Sequence, residues 1–167
     1  GIEGRHADPN VFVQMDTYAV KGLQTGQIQF LYAPTHLNPT YEYGVTFERG
    51  TAVTYGDRKQ IFISGTASID NQGEIMYPGD ILKQTERMLE NIDPLLQEAG
   101  GGLQDIMQAI VYLRDPADYV VVKQYIESRY PSFLHLIVHA PVCRPGWLIE
   151  TECIAVIPAD APQYAYL

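Results

Sequence analysis

Residues 80–113 read DILKQTERMLENIDPLLQEAGGGLQDIMQAIVYL, and this stretch decides the fold. Asp80 has a side chain suited to capping free backbone N–H groups. Leu82, Met88, Leu89, Ile92, Leu95, Leu96 and Ala99 follow at three- and four-residue spacing, the period of an amphipathic helix. Gly100-Gly101-Gly102 ends that helix. Pro94 lies inside it, where its ring removes one backbone hydrogen bond and crowds the preceding turn, so a bend is expected. Residues 106–113 are then mostly apolar and read as a strand.

Downstream of that unit, Asp115 caps and Pro116 opens a second helix that runs to about residue 130, where Pro131 closes it. Residues 133–142 and 147–157 read as two more strands, separated by Arg144-Pro145-Gly146. Upstream, residues 46–54 and 60–64 read as strands joined by a turn at Tyr55-Gly56-Asp57-Arg58, with a second turn at Asp70-Asn71-Gln72-Gly73. Residues 11–32 mix β-favouring side chains with Gly22 and Gly26 and read as short strands. Pro34, Asn38, Pro39 and Gly44 mark a loop. The order strand, strand, helix, strand, helix, strand, strand makes an α+β two-layer sandwich, one mixed sheet with two amphipathic helices on one face. The other face must then be polar, wet or covered by another subunit. Along the last strand Ile149, Thr151, Cys153 and Ala155 alternate with Leu148, Glu150, Glu152, Ile154 and Val156. Two carboxylates sharing a face with aliphatic residues suit a partly buried subunit contact.

Composition bounds the class. In 167 residues, 46% apolar and 19% charged with two Cys, one ordinary globular domain is expected, and a disordered tail or a disulfide scaffold is excluded. The net charge of -9 repels nucleic acid phosphates and no basic patch offsets it, so no nucleic acid partner is expected. No apolar run approaches the ~20 residues that span a bilayer, and no secretory signal opens the chain. The expectation is therefore no membrane partner and a cytoplasmic location. Gly1-Ile2-Glu3-Gly4-Arg5 reads as a protease-recognition scar left by expression. Residues 6–45 are an amino-terminal extension that fits the remnant of a preceding domain, 46–160 the domain itself, and 161–167 a tail.

The four His, His6, His36, His135 and His139, and the two Cys, Cys143 and Cys153, form no CxxC or HExxH spacing, so no metal and no cofactor are expected. Gly100-Gly101-Gly102 follows a helix rather than opening one and reads as a stop, not a phosphate loop. Ser64-Gly65-Thr66 at a strand end is either a bulge or a close approach whose N–H groups hold a carboxylate. Arg144 lies beside Cys143, and Glu150 follows seven residues after Cys143. An arginine at a cleft mouth binds a carboxylate through two hydrogen bonds, and a desolvated glutamate acts as an acid. The plainer reading is a rim arginine and an edge carboxylate.

Ile61-Phe62-Ile63-Ser64-Gly65-Thr66, Gly73-Glu74, Gln84, Leu89, Asn91-Ile92, Glu98-Ala99-Gly100, Asp105, Asp115, Tyr119 and Ile149-Glu150-Thr151-Glu152-Cys153-Ile154-Ala155-Val156 together resemble the RidA/YjgF family, also named endoribonuclease L-PSP or translation initiation inhibitor. The resemblance covers about residues 46–158. It implies a chorismate-mutase-like fold, a homotrimer, and clefts between subunits that bind a small carboxylated metabolite. Enamine and imine deaminases of the family use backbone N–H groups at the Ser-Gly, a strand arginine and a late glutamate. Gly65 and Glu150 match these. An ungapped count from Glu150 puts His135 in the arginine's place, and Lys123 stands for a usual asparagine. The text from Ser64 to Ile69, with Val142-Cys143-Arg144-Pro145 and Glu150, also resembles the carboxyl-terminal half of chorismatases. That resemblance implies hydrolysis of an enolpyruvyl ether, with Glu150 as general acid, Arg144 as carboxylate clamp and Cys143 as pocket wall. The site expected from the sequence is thus Glu150 as the catalytic residue and Gly65, Thr66, Cys143, Arg144 and His135 as substrate contacts. A noncatalytic ligand-binding or assembly module is the alternative from another class. The family's older names add RNA cleavage, against which the charge argues.

Overall fold

The computed structural model describes residues 2, 4 and 6–166. Its strands are β1 (Ile28–Leu31), β2 (Gly50–Thr54), β3 (Arg58–Ala67), β4 (Ile106–Leu113), β5 (His135–His139) and β6 (Ile149–Pro158). Its α-helices are α1 (Ile81–Glu98) and α2 (Tyr119–Arg129). The six strands form one sheet in the order β1-β2-β3-β6-β4-β5. All neighbours are antiparallel except β4 and β5, which α2 joins as a parallel pair, because parallel strands need a long crossover. The α+β sandwich with a mixed sheet is the architecture expected from the order of elements.

Helix α1 starts where the cap predicts. The Asp80 carboxylate accepts from Lys83 N at 3.1 Å, and Pro94 is carried inside the helix without ending it. At the other end Gly100 takes φ +92°, and Gly101 N reaches back to Leu96 O at 2.9 Å. Met88, Leu89, Ile92, Leu95 and Leu96 are buried against Ile61, Ile63, Ile106, Val111 and Ala155 of the sheet, whereas Leu82 of the same stripe faces outward. Asn91 is buried too, and its Nδ2 donates to Ala67 O and Ile69 O at 3.0 and 2.9 Å, which ties α1 to the end of β3. Helix α2 is less amphipathic than expected: Val122 and Ile126 are buried and Val120 is exposed.

Several boundaries differ from the sequence reading for local reasons. Of the short strands expected over residues 11–32, β1 forms; it pairs with β2, so residues 6–45 supply an edge strand to the same sheet. Strand β5 is confined to five residues because Phe133 N turns back to Tyr130 O at 2.9 Å. Strand β6 starts at Ile149 because Trp147 N closes a turn on Arg144 O at 3.0 Å. Of residues 1–5, Gly1, Glu3 and Arg5 lie outside the described residues, as does Leu167 of the tail, while Ile2 forms an isolated antiparallel bridge with Val142. Among the described residues no helix is long and apolar enough to cross a membrane.

Ile149, Thr151, Cys153 and Ala155 of β6 are buried on the helix side. Their alternates, Glu150, Glu152 and Ile154, face the other way, sharing that open face with Phe62, Ile110 and Tyr112 by cross-strand pairing. Tyr18 covers a part of it, its ring 5.8 Å from that of Phe62.

Candidate active site

Strands β3 and β6 lose register between Ile63 and Thr66, which places a bulge at Ser64 and Gly65. The bulge is pinned to the chain that leads into β2: Ser64 N donates to Arg49 O at 3.1 Å, and the Ser64 hydroxyl donates to Glu48 O at 2.6 Å. Gly65 lies directly against Glu150, and a Cβ built there would fall on Glu150 Oε1. Glycine leaves this space to the Glu150 carboxyl, which a side chain here would displace.

Glu150 is 6% exposed. Its Oε2 is buried with no hydrogen-bond partner among the described residues. Burial disfavours the charged form, and the nearby Glu152 charge adds to the effect, so the Glu150 carboxyl titrates above the usual carboxylate range. A carboxyl whose pKa is raised in a cleft is suited to give a proton.

This carboxyl opens onto a cavity of about 330 Å³. Ser64, Gly65 and Glu150 form one wall, Cys143, Arg144 and Trp147 of the loop before β6 another, and Val45, Phe47 and Arg49 a third. The loop is held from beneath by two side chains. Arg114 donates from Nε to Trp147 O at 2.7 Å and from Nη2 to Val142 O and Arg144 O at 2.7 and 2.8 Å. The buried Gln84 donates to Gly146 O at 3.0 Å and accepts from Leu148 N at 2.9 Å. Arg144 sits at the rim, where its Nη1 donates to Gly73 O at 3.0 Å and its guanidinium lies 5.1 Å over the Trp147 ring. Arg49 is 6% exposed, and its Nε and Nη2 donate to Asn38 O at 3.3 and 3.0 Å. Among the described residues the charged lining is thus two guanidinium groups and one carboxyl whose pKa burial raises. Such a wall suits an anionic ligand.

Four of the residues expected from the sequence, Gly65, Cys143, Arg144 and Glu150, come together here. Two do not. His135 pairs with Ala109, which pairs with Cys153, so it belongs to the helix side of the sheet, whereas Glu150 shares the open side with Tyr112. Its ring packs 5.7 Å from Phe133, with Nδ1 at 2.8 Å from Phe133 O. The ungapped count from Glu150 that gave it the arginine's place runs through a loop, and a loop does not preserve the two-residue period of a strand. Thr66 pairs with Thr151 on the helix side, is buried, and donates its hydroxyl to Ser64 O at 2.9 Å. It closes the bulge and does not line this cavity. Lys123 pairs with Glu127 at 2.6 Å along α2.

Arg49, Trp147, Arg114 and Gln84 were not singled out from the sequence. The family text contains Gln84, but nothing local says that a helix residue braces a loop more than sixty positions away. Cys153 is a core residue; burial pushes its thiol up to about 12, which removes it as a nucleophile. Among the described residues no group of three or more His, Cys, Asp or Glu comes together to hold a metal ion.

The family model described as endoribonuclease L-PSP matches residues 50–157. The 3-aminoacrylate deaminase RutC of Acinetobacter baylyi is 31% identical over 97 residues, which are 57% of this chain and 77% of that protein. Among solved structures, RidA of an Antarctic Psychrobacter superposes with a TM-score of 0.63 at 24% identity, covering 77% of this chain and 99% of that one. Escherichia coli TdcF with bound serine gives 0.63 at 21% identity, with 77% and 99% covered. The shared fold, the matched span from β2 through β6 and the identity to RutC lead to one conclusion: the chain belongs to the endoribonuclease L-PSP family, the RidA/YjgF family.

Proposed function

We propose that this protein hydrolyses the carbon–nitrogen bond of a small carboxylated enamine or imine, with Glu150 as the general acid. The observation that carries the reading is the buried Glu150 carboxyl, whose Oε2 has no partner among the described residues, in a cavity that Arg49 and Arg144 also line. The 31% identity to a 3-aminoacrylate deaminase supports the substrate class.

On 3-aminoacrylate the chemistry runs as follows. Glu150 gives its proton to the carbon next to the carboxylate, and the nitrogen lone pair moves in to form an iminium at the adjoining carbon. Water adds to that carbon, its extra proton passes to the nitrogen by way of the Glu150 carboxylate, and ammonia leaves as the carbonyl forms. One enamine and one water give one 3-oxopropanoate and one ammonia, and Glu150 ends protonated. Desolvation raises the Glu150 pKa and so favours the proton-bearing form that the first step needs. The backbone at the Ser64–Gly65 bulge and the cationic lining orient the substrate. The assembly that this reading takes is a homotrimer, with the open sheet face at the subunit contacts.

The test follows the ultraviolet absorbance of 3-aminoacrylate released in situ. Added protein accelerates its decay, and Glu150→Gln lowers kcat by about 10²- to 10⁴-fold, the usual contribution of a positioned general acid. A decay rate equal to the uncatalysed one with folded wild-type protein refutes the reading.

One observation favours a second chemistry on the same site. Cys143 and Arg144 share the cavity with Glu150, as the chorismatase resemblance implies. Protonation of an enol ether carbon by Glu150, followed by water attack, is the oxygen counterpart of the enamine reaction. Chromatography of chorismate incubated with the protein separates the two: pyruvate release supports ether hydrolysis.

A further inference from the structure

We propose that the Glu150 cavity takes an enamine or imine whose carboxylated end is joined to a ring-sized apolar group, with Phe47 as the residue that selects it. The inference deepens the deaminase reading above and rests on it. The wall that argues for it is built by residues 45–49, which precede the span 50–157 matched by the family model.

A three-carbon acid accounts for little of this cavity. Its volume of about 330 Å³ lies in the range of pockets that enclose ring-bearing ligands, and such pockets are lined mostly by apolar and aromatic side chains with a few polar groups that orient. Val45, Phe47, Ala67, Ile69 and Trp147 supply the apolar lining here. Val45 and Phe47 are 43% and 38% exposed, so apolar surface is left for a ligand to cover.

The two aromatic walls are held in place. The guanidinium carbon of Arg49 lies 5.3 Å from the centre of the Phe47 ring. Arg49 is fixed in turn by the buried Asn38, whose carbonyl accepts from Nε and Nη2 and whose Oδ1 accepts from Nη2 at 3.1 Å. The Arg144 guanidinium lies over the Trp147 ring in the same way. The segment is also registered on the acid. Ser64 N donates to Arg49 O at 3.1 Å and the Ser64 hydroxyl donates to Glu48 O at 2.6 Å, while the next residue, Gly65, lies against the Glu150 carboxyl. One irregularity of the sheet therefore ties the aromatic wall to the proton donor. An aromatic side chain fixed before the ligand arrives loses little freedom on binding, so the apolar area it covers counts toward affinity.

The experiment measures, by calorimetry, the Kd of acrylate and of cinnamate, which is acrylate with a phenyl ring on its far carbon. Cinnamate is expected to bind the wild-type protein about 10- to 100-fold more tightly, the worth of burying one aromatic ring. Phe47→Ala is expected to bring that ratio down about 10-fold, and Phe47→Leu, which keeps an apolar wall, to bring it down by less. Equal Kd values for the two acids, the result when a neighbouring subunit fills the apolar wall, overturn the proposal. So does a wild-type protein that does not bind cinnamate. A ratio at the wild-type value in Phe47→Ala, with the circular dichroism of the folded protein, removes Phe47 as the selecting residue. The deaminase reading is judged apart from this, by turnover of 3-aminoacrylate in the wild-type and Glu150→Gln proteins, because the ratio of the two Kd values involves no turnover.

Discussion

Burial raises the pKa of the Glu150 carboxyl, and the sign of the resulting pH dependence is fixed. Its folded-state pKa lies above the unfolded one, so its contribution to stability is fully present at low pH and is lost as pH rises through the folded value. Glu150→Gln carries no ionisation, and is therefore expected to melt above the wild-type protein at alkaline pH, with the gap closing as pH falls. Calorimetry across that range reads the effect; a gap independent of pH refutes the titration argument. Turnover by the wild-type protein falls on the same alkaline limb, since the acid is lost as it ionises. Gly65 offers a second test at this scale. A methyl at this position and Glu150 Oε1 cannot share one space, and the carboxyl is the movable partner. Gly65→Ala is expected to fold, because the collision is with the end of a side chain, yet to lose about 100-fold in kcat, the scale of a displacement of about 1 Å at a reacting group. A Gly65→Ala enzyme with wild-type kcat shows that the contact does not position the acid.

The elements explain why a loop carries so much of the site. Residues 142–148 have no regular structure, so their carbonyls find partners in the side chains of Arg114 and Gln84. Arg114 follows directly on β4 and serves three carbonyls of the loop at once. Arg114→Ala is expected to destabilise by about 2–3 kcal/mol, a fall of roughly 4–12 °C in Tm, and to raise KM as Arg144 and Trp147 lose their placement. Arg114→Lys recovers part of the Tm and less of the KM, since an ammonium cannot reach three carbonyls in one plane. Unchanged Tm and KM in Arg114→Ala, measured by calorimetry and initial rates, refute the bracing role. Elements also mark how far local text carries. The α1 stripe, its Asp80 cap and the glycine stop were legible because each depends on residues within one or two turns. The bulge at Ser64 and Gly65 was legible as one of two options, a bulge or a carboxylate cradle, because the choice depends on what β6 places opposite.

Across the whole molecule, the helices cover one face of the sheet and leave Phe62, Ile110 and Ile154 on the other. With a net charge of -9, separate copies repel at long range, so an assembly must gain its stability from short-range apolar contact on that face. The trimer proposed above predicts a sedimentation mass of three chains, and Ile154→Asp, which puts a charge in the middle of the face, is expected to yield monomers with the far-ultraviolet circular dichroism of the wild type. A monomeric wild-type protein at micromolar concentration refutes the assembly.

What the sequence determined by itself is what short-range physics controls: the helix period and caps, the alternation along β6, the Gly65 and Glu150 pair through family text, and hence the α+β class. Only the tertiary structure decided which side chains share the cavity. It brought in Arg49 from the segment before β2 and turned His135 and Thr66 to the helix side. The reason is that the face a strand residue takes is set by pairing register across loops and bulges, and each irregular residue resets a parity that counting along the chain cannot follow.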